Sequence, residues 1–272
     1  MDYEFDRGIA VERLHEGEYA AHLDGGWVVG GGVNGGYVLA VAAHAVRVEL
    51  AEEGHADPVS VSSYFLSPSR PGPATVRVRR VRVGGRRTTV AASLVQQEDG
   101  LEVERITLLA VFGSLELRPE VERQLPPPDL PPLEDCVETR FAPEEVRRVA
   151  PLLERFGTRL DPAYAGWAVG RPSGTGLIQG WFRLADDRPL DTIAVLMVLD
   201  ALPPVTFDLG RPGWAPTLEL TAHVRAQPVP GWARVRHATR TISGGMFEED
   251  CEVWDADGHL VGQSRQLALL PR

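Results

Sequence analysis

The sequence predicts an α+β fold built from two similar repeats, in each of which an antiparallel sheet wraps around a central apolar helix. Turn dipeptides recur in the same order in both halves: Pro-Gly at 71–72 and 230–231, Gly-Gly at 84–85 and 244–245, and Asp-Gly at 99–100 and 257–258. The offsets are 159, 160 and 158 residues, and so constant a spacing indicates a duplicated unit. In each half a very apolar helical segment precedes these turns.

The first half predicts short strands, one helix and a four-strand meander. One or two strands are expected over 18–29, followed by a glycine-rich stretch at 30–36. The segment 37–51 is apolar nearly all round for three turns, which is typical of a buried helix. Four strands separated by the turn dipeptides follow it, at 59–66, 74–83, 86–97 and 101–112.

The second half predicts the same order of elements. A short helix is expected at 143–155, then strands near 156–160 and 177–184. A buried helix follows at 190–201, with Asp191 as its N-cap. Four strands complete the chain, at 217–226, 233–243, 247–255 and 260–270. A meander after a helix that is apolar on all sides suggests a sheet wrapped around that helix, so two copies would form a double hotdog.

Prolines separate the two repeats. The runs at 126–128 and 131–132 exclude a helix or a central strand and favour an extended spacer. We therefore expect an N-terminal hotdog repeat at 1–115, a proline-rich linker at 116–136 and a C-terminal hotdog repeat at 137–272.

Charge and composition exclude several classes of protein. The net charge of −10 argues against a nucleic-acid groove, which requires clustered positive charge. No apolar run approaches the roughly 20 residues that span a bilayer. The acidic start of the chain lacks the features of a signal peptide, and the only cysteines are Cys136 and Cys251. We therefore expect a cytoplasmic protein with two plain thiols.

The basic residues are all arginines, and six of them lie between 77 and 87. One interpretation is a solvated strand face together with its turn. The other is a patch for a phosphorylated ligand such as coenzyme A, because arginine forks bind phosphate well.

Several short motifs resemble those of a known family, the TesB-type acyl-coenzyme A thioesterases of the thioesterase-like superfamily. The resemblance covers essentially the whole chain. It is carried by Asn34-Gly35-Gly36-Tyr37, Gly180-Trp181-Phe182-Arg183-Leu184, Arg188-Pro189-Leu190-Asp191, Asp200, Pro216-Thr217-Leu218-Glu219-Leu220-Thr221 and Gly262-Gln263-Ser264-Arg265-Gln266. It implies a double hotdog that hydrolyses acyl-CoA thioesters.

The resemblance also implies a set of site residues. The aspartate, hydroxyl and glutamine that bind and activate water in the family correspond to Asp200, Thr217 and Gln266. The chain departs from the pattern of long-chain bacterial members after the threonine strand, where it has Thr221, His223 and Arg225. The shape of the acyl pocket, and hence the acyl group, is therefore left open.

The residues themselves allow alternatives for this set. Asp200 ends an apolar helix, so desolvation can raise its pKa, or it can face solvent before Pro203. By strand parity Thr217 shares a face with Glu219, Thr221, His223 and Arg225, and a face this polar is either solvent or a wet active site. A glutamine such as Gln266 in a burying strand needs hydrogen-bond partners, which modestly favours an active-site role.

We predict that Asn34, Gly35, Gly36 and Tyr37 bind substrate. The two glycines leave N–H groups open at a helix start, where they can stabilise an oxyanion, or they simply permit close packing. By position in the first helix, His44 corresponds to Asp200, which suggests that the first half has lost its own site.

The expected partners follow from these interpretations. We expect an acyl-CoA substrate, no metal or redox cofactor, no nucleic acid and no membrane span. Sheet edges exposed to solvent favour a homodimer or homotetramer. Two other functions on this fold remain open: a non-catalytic acyl-CoA or acyl-ligand binding protein, and a hydratase or dehydratase. The latter would need a His/Asp pair where Asn34 and Gly35 stand.

Overall fold

One antiparallel sheet runs through both halves of the chain. In this computed structural model, which describes residues 3–271, the first half contains α1 Glu4–Gly8, β1 Val11–His15, β2 Glu18–Leu23, β3 Val28–Val29, β4 Gly32–Val33, α2 Gly35–Glu49, β5 Asp57–Phe65, β6 Gly72–Val83, β7 Arg87–Glu98 and β8 Leu101–Gly113. The second contains β9 Val137–Glu138, α3 Glu144–Val149, β10 Arg159–Leu160, β11 Leu177–Phe182, α4 Thr192–Val198, β12 Thr217–Val224, β13 Ala233–Ala238, β14 Ile242–Ser243, β15 Met246–Trp254 and β16 Leu260–Leu269.

The two halves join where an edge strand of one half pairs with an edge strand of the other. The sheet order is β1-β2-β6-β7-β8-β5-β12-β16-β15-β13-β11-β10-β9, with β14 paired to β15, so β5 and β12 lie side by side. Ser62 lies opposite Thr221 at this junction, and their hydroxyl oxygens are 3.1 Å apart. The predicted double hotdog is therefore confirmed, with its two sheets fused into one.

The central helices α2 and α4 pack against each other and against the sheet. Every residue of α4 is buried, and most residues of α2 are buried as well. Each helix begins at a side-chain cap: Asn34 Oδ1 accepts from the Tyr37 N–H at 2.9 Å, and Asp191 Oδ1 accepts from the Ala194 N–H at 2.8 Å. The predicted cap at Asp191 is confirmed.

The duplication extends to irregularities within the strands. A bulge follows Pro58 in β5, and the corresponding bulge follows Thr217 in β12. A second bulge adds a residue to β8 opposite the step after Leu94, and its counterpart adds a residue to β16 opposite the step after Val253. Pro58 and Thr217 are 159 residues apart, and so are Leu94 and Val253. Because the registers match on both sides of the bulges, residues of one half can be assigned to their counterparts in the other.

Several predicted boundaries were wrong, mainly where proline intervenes. The helix expected at 143–155 is interrupted: α3 ends at Val149 and a short 3₁₀ turn, Pro151–Glu154, follows. Proline has no N–H to continue the helix and would clash with the preceding turn. The strand expected at 233–243 is split into β13 and β14.

The stretch between the two halves has no regular structure. Residues 114–132 form neither helix nor strand, and the boundaries drawn at 115 and 137 stay a prediction. Cys136 and Cys251 are buried free thiols. Among residues 3–271, no helix has the length and apolar character needed to cross a membrane.

Candidate functional site

Asp200 belongs to the second half but is held by the first. It lies just beyond α4, which ends at Val198. Its Oδ2 accepts hydrogen bonds from the Gly36 N–H at 2.8 Å and from Asn34 Nδ2 at 3.2 Å. Asn34 Nδ2 also lies 3.0 Å from the Asp200 carbonyl oxygen. The start of α2 therefore fixes both the backbone and the carboxylate of Asp200.

The two glycines at the start of α2 allow this close approach. A Cβ on Gly36 would lie 2.7 Å from the Met197 carbonyl oxygen and 2.8 Å from the Asp200 Cβ. A Cβ on Gly35 would lie 3.0 Å from Asp200 Oδ2. Of the two roles considered for Gly36, close packing is the one observed, since its N–H is occupied by the Asp200 carboxylate rather than open for an oxyanion.

The environment of Asp200 makes its carboxylate an unusually strong base for an aspartate. The pKa of Asp200 is raised from 3.8 to about 6, mainly by burial and also by the negative charge of Glu249. The hydrogen bonds from Gly36 and Asn34, together with His237, lower this pKa without cancelling the effect of burial. A carboxylate with a pKa near 6 can exchange protons with water at neutral pH.

Thr217 and Gln266 meet directly on the inner face of the sheet. Thr217 Oγ1 donates to Gln266 Oε1 at 2.6 Å. The parity assignment for Thr217 was wrong, because the bulge after it inserts one extra residue into β12. Thr217 is consequently paired with the buried Ala268, whereas Glu219 is paired with the exposed Leu267 on the outer face.

Behind Gln266 lies a pair of polar residues that sequence reasoning missed. Gln266 Nε2 donates to Glu249 Oε1 at 2.7 Å, and His237 Nδ1 is 3.0 Å from the same oxygen. Glu249 Oε2 accepts from the Val205 N–H at 2.7 Å. The signal was present in the sequence: Glu249 takes an inward position in β15, alternating with exposed or half-buried neighbours, where an apolar residue is expected.

Glu249 connects Asp200 with the Thr217–Gln266 pair, by its charge on one side and by a hydrogen bond on the other. Within residues 3–271, no hydrogen bond joins the Asp200 carboxylate to either residue. The segment after Asp200 instead returns to Glu249 through the Val205 N–H, and the Glu249 charge acts on the Asp200 pKa. Thr217 and Gln266 are therefore in direct contact, whereas Asp200 is related to them through the charge of Glu249 and not by a hydrogen bond.

Tyr37 is directed away from this region. Its ring is fully buried and stacks on Trp27 with the ring centroids 4.8 Å apart. Its hydroxyl donates to the Gly8 carbonyl oxygen at 2.6 Å. The side chain is therefore a core element of the first half.

The first half lacks the corresponding polar groups. Alignment of the two helix caps, Asn34 and Asp191, makes Ala43 the counterpart of Asp200, so the correspondence with His44 was wrong by one residue. The matched bulges make Pro58 the counterpart of Thr217. Residues Gln266 and Ala110 are equivalent because Gln266 is paired with Leu220 and Ala110 with Val61, the same place in each ladder.

The chain matches family models over both halves. Residues 23–113 match the acyl-CoA thioesterase N-terminal domain, and residues 129–270 match the acyl-CoA thioesterase C-terminal domain. Protein Rv0499 of Mycobacterium tuberculosis, whose function is uncharacterised, is 33% identical over 98% of this chain and 94% of its own.

Solved structures agree with this assignment. A candidate thioesterase II from Thermobifida fusca is 34% identical, covers 99% of this chain and 98% of its own, and superposes with a TM-score of 0.86. A hot dog fold protein from Alicyclobacillus acidocaldarius, at 22% identity, shares the fold over 100% of this chain and 99% of its own, with a TM-score of 0.80. The chain therefore belongs to the acyl-CoA thioesterase family.

Proposed function

We propose that this protein hydrolyses an acyl-CoA thioester to a free acid and coenzyme A, using one water held by Asp200, Thr217 and Gln266. The observation that carries this proposal is the Asp200 carboxylate, which the Gly36 N–H and Asn34 Nδ2 hold in place and whose pKa burial raises to about 6. Membership of the thioesterase family supports the same reaction.

Asp200 is the general base in this proposal. Its carboxylate takes a proton from the water as the water oxygen attacks the thioester carbonyl carbon. Collapse of the tetrahedral intermediate breaks the carbon–sulfur bond, and the proton held by Asp200 neutralises the departing CoA thiolate. The two hydrogen bonds from the start of α2 keep the carboxylate in one orientation throughout.

Thr217 and Gln266 orient the water. Because the Thr217 hydroxyl hydrogen is given to Gln266 Oε1, the Thr217 oxygen is left as an acceptor for a water hydrogen. Gln266 Nε2 carries two hydrogens, of which Glu249 takes one. We assign the other to the water oxygen or to the thioester carbonyl.

We assign the thioester to the start of α2. Gly35 presents no side chain there, and the helix dipole at this end favours the negative charge that develops on the carbonyl oxygen. Asn34 acts by holding Asp200 and capping α2. Tyr37 supports the helix from within the core rather than by contact with the acyl group.

The test is release of free thiol from a panel of acyl-CoAs that differ in chain length, branching and aromatic character. We expect release from at least one acyl-CoA. Binding of acyl-CoAs with no release from any of them would instead indicate a non-catalytic binding protein. Thr217→Val should lower kcat by about 100-fold, and the matched Thr217→Ser, which keeps the hydroxyl, should retain most of it.

A further inference from the structure

We propose that Glu249, backed by His237, is a positioning residue that fixes the amide orientation of Gln266 and is present for the site rather than for the fold. This inference rests on the proposed function and concerns how the hydroxyl–amide pair is held. Glu249 and His237 are 2% and 1% exposed, so both are shielded from solvent.

The Glu249 carboxylate is bound entirely by donors. Oε1 is contacted by Gln266 Nε2 at 2.7 Å and by His237 Nδ1 at 3.0 Å, and Oε2 by the Val205 N–H at 2.7 Å. An ionised carboxylate can only accept. Gln266 must therefore turn its NH₂ group towards Glu249, which leaves Oε1 as the only amide atom for Thr217.

His237 is a second side-chain donor to Glu249. Burial alone would lower the pKa of His237, but Cys251 and Glu249 beside it hold that pKa well above its usual range. Because burial raises the pKa of the Cys251 thiol and so keeps it neutral, the charge responsible is that of Glu249. His237 Nδ1 thus carries a hydrogen and donates it to Glu249.

The first half of the chain shows that the fold does not require the network of Gln266, Glu249 and His237. Glu249 is paired with Gln266 across β15 and β16, and Val90 is paired with Ala110 at the equivalent place. His237 is paired with Cys251. The counterparts of these last two residues are Val78 and Ala92.

Each polar residue of the network thus has an apolar counterpart. A buried ion pair gives a protein little net stability compared with apolar residues of similar size. The second half contains the Glu249–His237 pair and the first half folds without it. The pair therefore serves a feature that only the second half has. That feature is the Thr217–Gln266 pair beside Asp200.

Loss of Glu249 should free the Gln266 amide. The Thr217 hydroxyl can donate to Oε1 or accept from Nε2, so without Glu249 both amide orientations become accessible. In the second orientation the Thr217 oxygen receives a hydrogen from Gln266 and no longer serves the water in the same way. The expected cost falls on kcat rather than on substrate binding.

The decisive variant is Glu249→Val/His237→Val, which gives the second half the residues of the first. We expect a thermal midpoint equal to or above that of the parent protein, kcat lower by on the order of 10-fold or more, and KM within about threefold. Unchanged kcat in the folded double variant would overturn the inference while leaving the proposed function intact. A matched control is Glu49→Gln, which alters a buried carboxylate of the first half bonded to the Tyr19 hydroxyl at 2.6 Å and should leave kcat unchanged.

Two further measurements separate positioning from a structural effect. Glu249→Gln removes the negative charge that raises the Asp200 pKa and also the support for a charged His237, which lowers that pKa; because the effect of Glu249 is the larger, the acidic limb of the kcat/KM profile should move to lower pH. The side-chain amide NMR signals of Gln266 should be a single sharp pair in the parent and exchange-broadened in the double variant. Identical Gln266 signals in both proteins would overturn the inference, whether or not the protein hydrolyses any acyl-CoA. Absence of hydrolysis would refute the proposed function, and the NMR comparison could still be made.

Discussion

Asp200 combines two properties that usually conflict at a residue. It is desolvated enough for the pKa to rise to about 6, yet the Gly36 N–H and Asn34 Nδ2 hold its carboxylate in place. Fewer donors would raise the pKa further and keep the group protonated at neutral pH. More donors would lower the pKa and make the carboxylate a poor base.

The pH dependence of the rate follows from this balance. The base must be ionised, so kcat/KM should rise with pH through about 6 and level off above 7. The measurement is thiol release from one acyl-CoA between pH 4.5 and 8.5, in the range where the protein stays folded. A rate that is flat between pH 5 and 7 would contradict Asp200 as the base.

Ionisation of Asp200, which should raise the rate, should lower the stability of the folded protein. The folded pKa of about 6 lies above the usual 3.8, so the folded state holds its proton to higher pH than the unfolded state does. Asp200 is therefore neutral to stability below pH 4, and its ionisation destabilises the fold increasingly up to about pH 6. Asp200→Asn keeps both acceptor contacts and should add about 1–3 kcal/mol to the free energy of unfolding at pH 7. Denaturant melts at pH 7 and at pH 4 check this, since the gain should shrink at pH 4.

Some residues of the candidate site could be predicted from the sequence, and others could not. Asp200, Thr217 and Gln266 follow from the family resemblance, and the structure brings Thr217 and Gln266 into direct contact. Strand parity assigned Thr217 to the wrong face, because a bulge leaves no mark in the alternation of polar and apolar residues. Glu249 was missed because its partner Gln266 is 17 residues away and the pairing depends on the register of β15 with β16.

At the scale of elements, the site depends on contact between the start of α2 and the end of α4. The two helices approach closely enough that a Cβ on Gly36 would overlap the Met197 carbonyl oxygen. Helix existence and burial were predictable, because both segments are apolar nearly all round. The antiparallel contact between their ends was not, since it arises only when the two repeats join through β5 and β12.

Gly36→Ala tests that contact. Alanine favours an isolated helix over glycine by about 1 kcal/mol, so a loss of stability would have to come from the overlap with Met197 and Asp200. We expect a lower melting temperature, a loss of about 1–3 kcal/mol, and lower kcat as Asp200 loses its Gly36 hydrogen bond. Gly85→Ala is the matched control, because a Cβ there meets no atom within 4 Å; equal effects of the two changes would refute the role of the contact.

At the scale of the whole molecule, duplication has produced two unequal halves. The second half supplies Asp200, Thr217 and Gln266, and the first supplies the helix start that holds Asp200. The counterparts in the first half are Ala43, Pro58 and Ala110, none of which can activate water. Under the proposed function each chain therefore has a single hydrolytic site, built across the junction of the two repeats.

Thiol release by Asp200→Asn, compared with the parent protein at pH 7.5 on its best acyl-CoA, tests this central claim most directly. His44→Gln serves as the control, because His44 is not the counterpart of Asp200 and should keep full activity. We predict that Asp200→Asn remains folded and loses at least about 100-fold in kcat. Retention of half or more of the activity would contradict the account, since it would mean a second site or a different base.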